Sequence, residues 1–349
     1  MRVAVVTGGR SDRGILNPLI RRLRADVAYD LTVIATGASA SGDLVVDHLL
    51  THDSDAAIAK STGLGVYGMA DAYHASSPDL VVLLGDRFEI LAAAVAAHLM
   101  RIPIAHLHGG EVTEGSLDDR MRNAITMLAS IHLTSCEEHA ERVRAMGRSN
   151  VHNVGALGLD NCRNVVAAEV PHPFVMVSVP EGQGAKQIAD ALILAGVEHY
   201  IWIGPNPDAG RESLKAYATV ESLSPDEYLS MLKAADVIVG NSSSALYEAH
   251  PLGTRAVNVG DRQKGRVRPE SVIDVPLDTG AIHMAIRRAL IEPFPKSKGP
   301  FGDGHATDAI MRVLDPIAKE CPSDAMSAEN RLRIYERVLD ALVTNLGRA

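Results

Sequence analysis

The chain has 349 residues, 46% of them hydrophobic, and 34 basic against 43 acidic side chains give it a net charge of −9. This length and composition predict about two globular domains and exclude a disordered chain, and the acidic balance excludes non-specific nucleic-acid binding by the chain as a whole. No apolar run spans a membrane, because the longest, Ile90 to Met100, contains His98 and stops at Arg101.

Arg2 to Thr7 reads as a buried parallel strand, bounded by Gly8-Gly9. A helix follows from about Ile15 to Arg24, with Leu16, Leu19, Ile20 and Leu23 at helical spacing. The turn between them is Gly-rich, as anion-holding turns are, but it is not a dinucleotide fingerprint. Leu31 to Thr36 is a second strand. Asp79 to Leu84 is a third, running into Gly85-Asp86-Arg87-Phe88-Glu89 and a helix of mostly Ala and Leu. Further strands are predicted at Ile102 to Leu107, Ile131 to Ser135 and Val151 to Val154, with a helix at Glu137 to Met146.

The alternation lapses from Gly155 to Pro173 and then restarts. Strands are predicted at Phe174 to Val179, His199 to Ile203, Asp236 to Gly240 and Arg255 to Val259. Helices are predicted at Ala185 to Ala195, Pro225 to Ala235, Ile282 to Ile291 and His305 to Glu320. A last amphipathic helix is expected over Ala328 to Leu346. The fold class is therefore α/β, with two Rossmann-like domains facing a cleft. The expected division is residues 1–165, residues 166–320 and a C-terminal helix in 321–349.

The stretch His106 to Arg122 gathers Glu111, Glu114, Asp118 and Asp119 beside Gly109-Gly110, directly after a strand. Ligands bind at that end of open α/β sheets, and crowded carboxylates push one another's pKa upward, so that one can act as an acid and another as a base. The alternative is a solvated acidic loop whose Asp118 and Asp119 favour a helix N-terminus. Asp86 is a further acid. His106 and His108 lie two apart in a strand, which would suit a metal only with a fourth ligand. None suggests itself, so no metal or cofactor is expected, with His108 in the site and His106 in the core. Cys136, Cys162 and Cys321 are scattered, and only Val3 to Val6 precede Thr7-Gly8-Gly9, too short for a signal peptide. The expected compartment is the reducing cytoplasm.

In the second half, Gly240-Asn241-Ser242-Ser243-Ser244 places three hydroxyls where a helix is expected to begin, which suits phosphate better than a single N-cap would. Glu248 follows Ser244 by four residues, on the same helical face, where a carboxylate can take the two hydroxyls of a ribose. Arg262, Lys264, Arg266 and Arg268 reverse the sign of charge on one loop, and Arg10 and Arg13 follow the first strand. Phosphate contact and a solvated basic loop both fit these cations.

Taken together, GDRFE (85–89), HGGEVTEG (108–115), the Asp118-Asp119…Arg122 run, GNSSS with Glu248, GDRQKGR (260–266) and FGDGHATDAI (301–310) resemble the hydrolysing UDP-N-acetylglucosamine 2-epimerases. The resemblance runs in order from about residue 1 to 315. It implies the glycosyltransferase-B architecture and no metal. It also implies a reaction in which a base removes the C2 proton while the nucleotide leaves C1, and water then adds with inversion at C2. Mapped by motif, Glu111 and Asp118 are the acid/base pair with Asp86 a third candidate, and Arg122 and Asp119 orient them. Asn241 and Ser242 to Ser244 hold the diphosphate and Glu248 the ribose, with His108, Glu114, Arg262 and Lys264 nearby. The implied partner is a nucleotide sugar or nucleotide, with no nucleic acid and no membrane. A homo-oligomer is compatible with the sequence, which does not fix the oligomeric state.

The chain also departs from that family's pattern. Ser39 stands where a His is usual, Asn123 and Met127 replace two residues of the RHAITK run, and Arg13 replaces a Tyr. Pro180-Glu181-Gly182-Gln183 aligns with a run whose His would contact the diphosphate, so an imidazole is lost and an anion gained. The default expectation is the hydrolysing 2-epimerase. One alternative is the same scaffold acting on a different nucleotide or nucleoside monophosphate. Another is a non-catalytic nucleotide-sugar-binding relative, against which the full Glu111, Asp118 and Arg122 set argues.

Overall fold

Val3 to Val6 are all fully buried, so the first strand has both faces covered, as a central parallel strand requires. The computed structural model describes residues 1–37, 41–47, 54–114, 117–180, 184–204, 217, 219–220 and 222–320, apart from the side chains of Arg10 and Ser11. The helix expected over Ala328 to Leu346 lies outside these residues, as do Cys321, Ser39 and the Glu181 to Gln183 departure.

The chain divides into two units. The first comprises Met1–Asp160 together with the chain from His305 onward, and the second is Asn161–Gly304. In the first, the elements are β1 (Arg2–Thr7), α1 (Arg10–Ala25), β2 (Asp30–Thr36), β3 (Leu44–Val46), α2 (Asp55–Ser76), β4 (Leu80–Leu84) and α3 (Phe88–Leu99). They continue with β5 (Ile104–Leu107), α4 (Asp118–Leu128), β6 (Ile131–Thr134), α5 (Glu137–Ala145) and β7 (Val151–Asn153). The strands form one sheet in the order β3-β2-β1-β4-β5-β6-β7. Every pair is parallel, with Val5 beside Val33 and Val82, and His106 beside Leu83 and His132. One face packs on Leu16, Leu19 and Leu23 of α1, and the other on Met69, Tyr73, Ile90, Ala94 and Ile125 of α2 to α4.

In the second unit, β8 (Phe174–Ser178), α6 (Ala185–Ala195), β9 (His199–Ile203), α7 (Pro225–Ala234), β10 (Val237–Gly240) and the short α8 (Ala249–Leu252) come first. β11 (Arg255–Val259), β12 (Val272–Val275) and α9 (Thr279–Ile291) follow. Five parallel strands run in the order β12-β11-β10-β8-β9. Its core joins Val175, Val177, Val237 and Val239 to Ile188, Leu192, Ile282 and Ile286 of α6 and α9. The doubly wound α/β class expected from the sequence is found in both units.

The helix α10 (Ala306–Glu320) packs in the first unit, although the sequence division grouped it with the second. Its apolar stripe of Ile310, Met311, Leu314 and Ile317 joins Val3, Leu16 and Leu19. Its start is fixed by Asp160, whose carboxylate accepts from the amides of Ala306 (2.8 Å) and Thr307 (2.7 Å). A carboxylate on the first two amides of a helix satisfies donors that have no partner within the helix and favours its positive end. Periodicity shows that a helix is amphipathic but not which core it covers. Strand β3, strand β12 and helix α2 also lie outside the elements read from the sequence.

Candidate active site

At the carboxyl end of β5 the chain turns sharply through His108 (φ 64°) and Gly110 (φ 81°). A Cβ on Gly110 would stand 2.3 Å from the carbonyl oxygen of His139, so only glycine lets this loop lie against α5. The turn delivers Glu111. Its Oε1 accepts from the Ser135 hydroxyl at 2.9 Å and faces His108 Nδ1 at 3.0 Å. Burial alone would raise the pKa of Glu111, but the His108 contact and the nearby Arg122 guanidinium outweigh it and hold the carboxyl well below its usual range. Glu111 is ionised.

Arg122, on α4, is buried with 3% of its surface exposed and ties three segments together. Nη1 donates to the Glu111 carbonyl (2.7 Å) and to Asp119 (2.5 Å), while Nη2 pairs with Asp86. Asp119 in turn accepts from the amide of Thr113 at 2.8 and 3.0 Å, which fixes the loop after Glu111. Asp86 moves the other way from Glu111. Burial raises its pKa above the ordinary value, Arg122 opposes, and Asp118 and Glu111 add to the rise. A buried guanidinium shared by two carboxylates also offsets part of their charge.

His106 is a fully buried core residue whose ring stays neutral, its pKa pushed down to about 4 by burial. Its Nε2 lies 2.8 Å from the Gly85 carbonyl, so it carries the proton there, and Thr126 donates to Nδ1 at 3.1 Å. The ring thus anchors the residue that precedes Asp86. Among the described residues no three His, Cys, Asp or Glu side chains form a metal-binding group.

A second group lies at the carboxyl end of β1. A Cβ on Gly8 would meet Glu89 Cγ at 2.9 Å and Asp12 Oδ2 at 3.3 Å, so both carboxylates crowd this turn. Burial lifts Asp12 to about 6, Arg87 opposes, and Glu89 and Asp86 raise it further. Glu89 is buried and accepts from Arg87 through Oε1 (2.7 Å), while its Oε2 has no partner among the described residues. Asp12, Arg87, Glu89, Ser135 and His139 are absent from the residues singled out in the sequence. The GDRFE motif carried Arg87 and Glu89. Asp12 had only its place in the Gly-rich turn, and Ser135 and His139 carried no signal.

In the second unit, the residues after β10 form a 3-10 turn, Ser243–Ala245, and the chain becomes α-helical only at Ala249. The helix expected to begin at the serines begins as this 3-10 turn, with Ser242 as its cap, and the regular α-helix that follows has four residues and ends at Gly253. The amides of Asn241, Ser244 and Ala245 are already used, by Ser178, Ser242 Oγ and the Ser242 carbonyl. The hydroxyls nevertheless cluster: Ser242 Oγ is 2.9 Å from Ser244 Oγ, which also meets the Tyr228 hydroxyl. Ser243 is exposed and Glu248 half-buried, its pKa raised by burial.

Arg262 (3.0 Å) and Gln263 (2.7 Å) both donate to the Asn241 carbonyl and so knit the two motif loops together. Asn241 Oδ1, Gln263 Oε1 and Arg266 Nε are buried without partners among the described residues. Lys264 is exposed, as is Glu114 in the first unit, and Asp118 is half-buried in the first turn of α4. One guanidinium nitrogen of Arg13, Nη1, is likewise buried without a hydrogen-bond partner among the described residues. The structure therefore brings Glu111, Asp86, Asp119, Arg122 and His108 together in the first unit. In the second it gathers Asn241, Ser242, Ser244 and Arg262.

A family profile described as UDP-N-acetylglucosamine 2-epimerase matches residues 23–315. The polysialic acid biosynthesis protein P7 of Escherichia coli is 30% identical over 93% of this chain and 96% of its own length. The UDP-N,N'-diacetylbacillosamine 2-epimerase (hydrolyzing) of Legionella pneumophila is 30% identical over 90% of this chain and 96% of its own. Among solved structures, the Neisseria meningitidis UDP-GlcNAc 2-epimerase bound to UDP-GlcNAc superposes with a TM-score of 0.72 at 18% identity, covering 90% of this chain and 99% of that one, a likeness of fold. With the profile covering most of the chain, the chain belongs to the UDP-N-acetylglucosamine 2-epimerase family and is a nucleotide-sugar 2-epimerase.

Proposed function

We propose that the chain cleaves a nucleotide-linked 2-acetamido sugar by elimination and hydration, with Glu111, Asp118 and Asp86 as its acids and bases. The observation that carries this reading is a pair of carboxyls held by different partners, Glu111 on Ser135 and His108 and Asp86 on Arg122, with Glu111 held down and Asp86 pushed up. Carboxyls driven apart in this way are matched to opposite proton-transfer roles.

Glu111, ionised, takes the proton from C2 as the C1–O bond breaks and the nucleotide leaves with the bonding pair. The product of this step is the 1,2-unsaturated 2-acetamido sugar. The Asp86 and Asp118 pair then supplies a proton to C2 from the opposite face while water adds its oxygen to C1 and returns its remaining proton to that pair. The free 2-epimeric sugar results. Arg122 and Asp119 position the carboxyls, and His108 holds Glu111. In the second unit, Ser242, Ser243, Ser244, Arg262 and Lys264 meet the phosphates, and Glu248 the ribose. Arg10 and Arg13 add positive charge in the first unit. The scattered cysteines, with Cys136 and Cys162 buried and unbridged, suit a reducing compartment, and we place the reaction in the cytoplasm.

The family and the relative named as a hydrolyzing UDP-N,N'-diacetylbacillosamine 2-epimerase support a nucleotide-linked sugar as substrate, and experiment decides the sugar and the base. The chain is incubated in deuterium oxide with UDP-, GDP- and CMP-linked 2-acetamido sugars. Release of the nucleotide with a free 2-epimerised sugar carrying deuterium at C2 supports the reading. Nucleotide release without deuterium at C2 sinks the elimination, and tight binding without turnover favours a binding protein. Among the described residues no helix is long and apolar enough to cross a membrane.

A further inference from the structure

The two protons nearest Glu111 can be placed from the hydrogen-bond geometry and the ionised state of its carboxyl. The main-chain N–H of Leu157 donates to His108 Nε2 at 3.4 Å, so Nε2 is the acceptor and the ring proton sits on Nδ1, 3.0 Å from Glu111 Oε1. Ser135 has one hydroxyl proton, and Glu111, being ionised, can only accept it. The Ser135 oxygen therefore accepts from its other neighbour, His139 Nδ1, at 2.9 Å. The result is a one-way chain from His139 Nδ1–H to Ser135 Oγ–H to Glu111 Oε1, with His108 Nδ1–H on the same oxygen.

We propose that Ser135 and His139 are positioning residues for Glu111, saturating Oε1 so that Oε2 is the oxygen presented to the substrate. This rests on the reading of Glu111 as the base. Both residues are buried, at 0% and 1% exposure, so water cannot replace either donor cheaply. They stand at the end of β6 and in the first turn of α5, the helix that Gly110 contacts, so one close approach sets both the backbone and the side chain of Glu111. Arg142 closes the same contact by donating to the Gly110 carbonyl at 3.3 Å.

His139 is neutral, its pKa pushed down to about 4 by burial, so the chain delivers dipoles rather than a charge. The other groups facing Glu111 are Arg122 from α4, Asp86 from the loop after β4, His106 from β5 and Cys136 at the start of α5. Losing the Ser135 donor removes a stabiliser of the carboxylate, so the acid limb of the kcat profile moves to higher pH.

The test compares Ser135→Ala, His139→Ala, His139→Asn and the double alanine variant, each checked for a wild-type unfolding midpoint. Asn can place an amide N–H where Nδ1–H lies. Either alanine is expected to lower kcat by about 10- to 100-fold, with KM within about threefold and an upshifted acid limb. Asn at 139 restores most of the loss. The double variant is no worse than Ser135→Ala, because the two act in series. Wild-type kcat and pH profile in the alanine variants, no rescue by Asn, or additive losses would each overturn the proposal. Glu111→Gln run alongside separates the two readings. If Glu111→Gln turns over normally, the base assignment fails. If it is dead while His139→Ala is unimpaired, only the positioning role fails.

Discussion

The candidate groups of the two units are prepared in opposite ways. In the first unit they are bonded to one another before any ligand arrives, with Arg122 joined to Asp86, Asp119 and the Glu111 backbone, and Glu111 joined to Ser135 and His108. In the second unit the loops are fixed to each other through the Asn241 carbonyl, yet Asn241 Oδ1, Gln263 Oε1 and Arg266 Nε have no partner among the described residues. Buried polar atoms without partners are costly unless something supplies the missing bond. The contrast separates the Glu111 and Arg122 centre, whose groups must not move, from loops with bonds left for a ligand, a condition that Glu89 Oε2 and Arg13 Nη1 at the turn after β1 share among the described residues.

The largest effect that would break this contrast is expected at Glu111. Glu111→Gln keeps an oxygen that can accept from Ser135 and His108, and the Arg122 bond goes to the main chain, so the fold is spared. The base is lost. Turnover should fall by about 10³-fold or more, with nucleotide affinity within about threefold; equal losses in affinity would mean that Glu111 binds rather than reacts.

Arg122 comes next. Arg122→Lys keeps the charge but not the fork, and it cannot bridge Asp86, Asp119 and the Glu111 carbonyl at once. A loss of about 100-fold in kcat is expected, together with a lower unfolding midpoint, because two carboxylates lose a buried partner. A lysine variant with wild-type kcat would show that the first unit is not preorganised by this residue.

A smaller effect is expected in the second unit. Ser242→Ala removes one hydroxyl from the Ser242, Ser244 and Tyr228 cluster. Its effect should appear in KM, raised about tenfold, with kcat nearly unchanged, as expected for binding that is equal in the ground and transition states. A fall in kcat at unchanged KM would erase the division of labour between the units.

The contrast also explains what was legible in the sequence. Apolar runs ending in glycine show the strands of both sheets, since a buried parallel strand has no polar face to confuse the pattern. Helix α2 escaped notice because Gly63, Gly65 and Gly68 interrupt it, and glycine disfavours helix interiors. At Gly68 the reason is packing, since a Cβ would stand 2.6 Å from Val46 Cγ1 of β3. Glu111, Asp118 and Arg122 were legible because charges directly after a buried strand have no place in a core. Ser135 and His139 were not, because Ser135 reads as the end of a strand and His139 as an ordinary residue of a helix's first turn, and only the fold brings them to a carboxylate 24 residues or more away in the chain.

Asp12 offers the mildest test, through stability rather than turnover. Its folded pKa of about 6 lies above the ordinary value of 3.8, so the native state holds this proton more tightly than the unfolded chain does. The associated stability is fully present below pH 3.8 and is lost as the pH rises through about 6. At neutral pH the ionised carboxylate therefore works against the fold, beside Glu89 and Asp86 and only partly offset by Arg87. Asp12→Asn removes that repulsion and should stabilise the protein by about 2 kcal/mol at pH 7.5, with solvent screening taken into account, and by almost nothing at pH 3.5. Denaturant unfolding at the two pH values measures the difference directly. If the variant gains nothing at pH 7.5, then Asp12 ionises without penalty, and the crowding around Gly8 is relieved by a partner that the turn itself supplies. A gain that vanishes in acid would instead mark the first turn of this sheet as a place where stability is held below its maximum, beside carboxylates that the reaction needs.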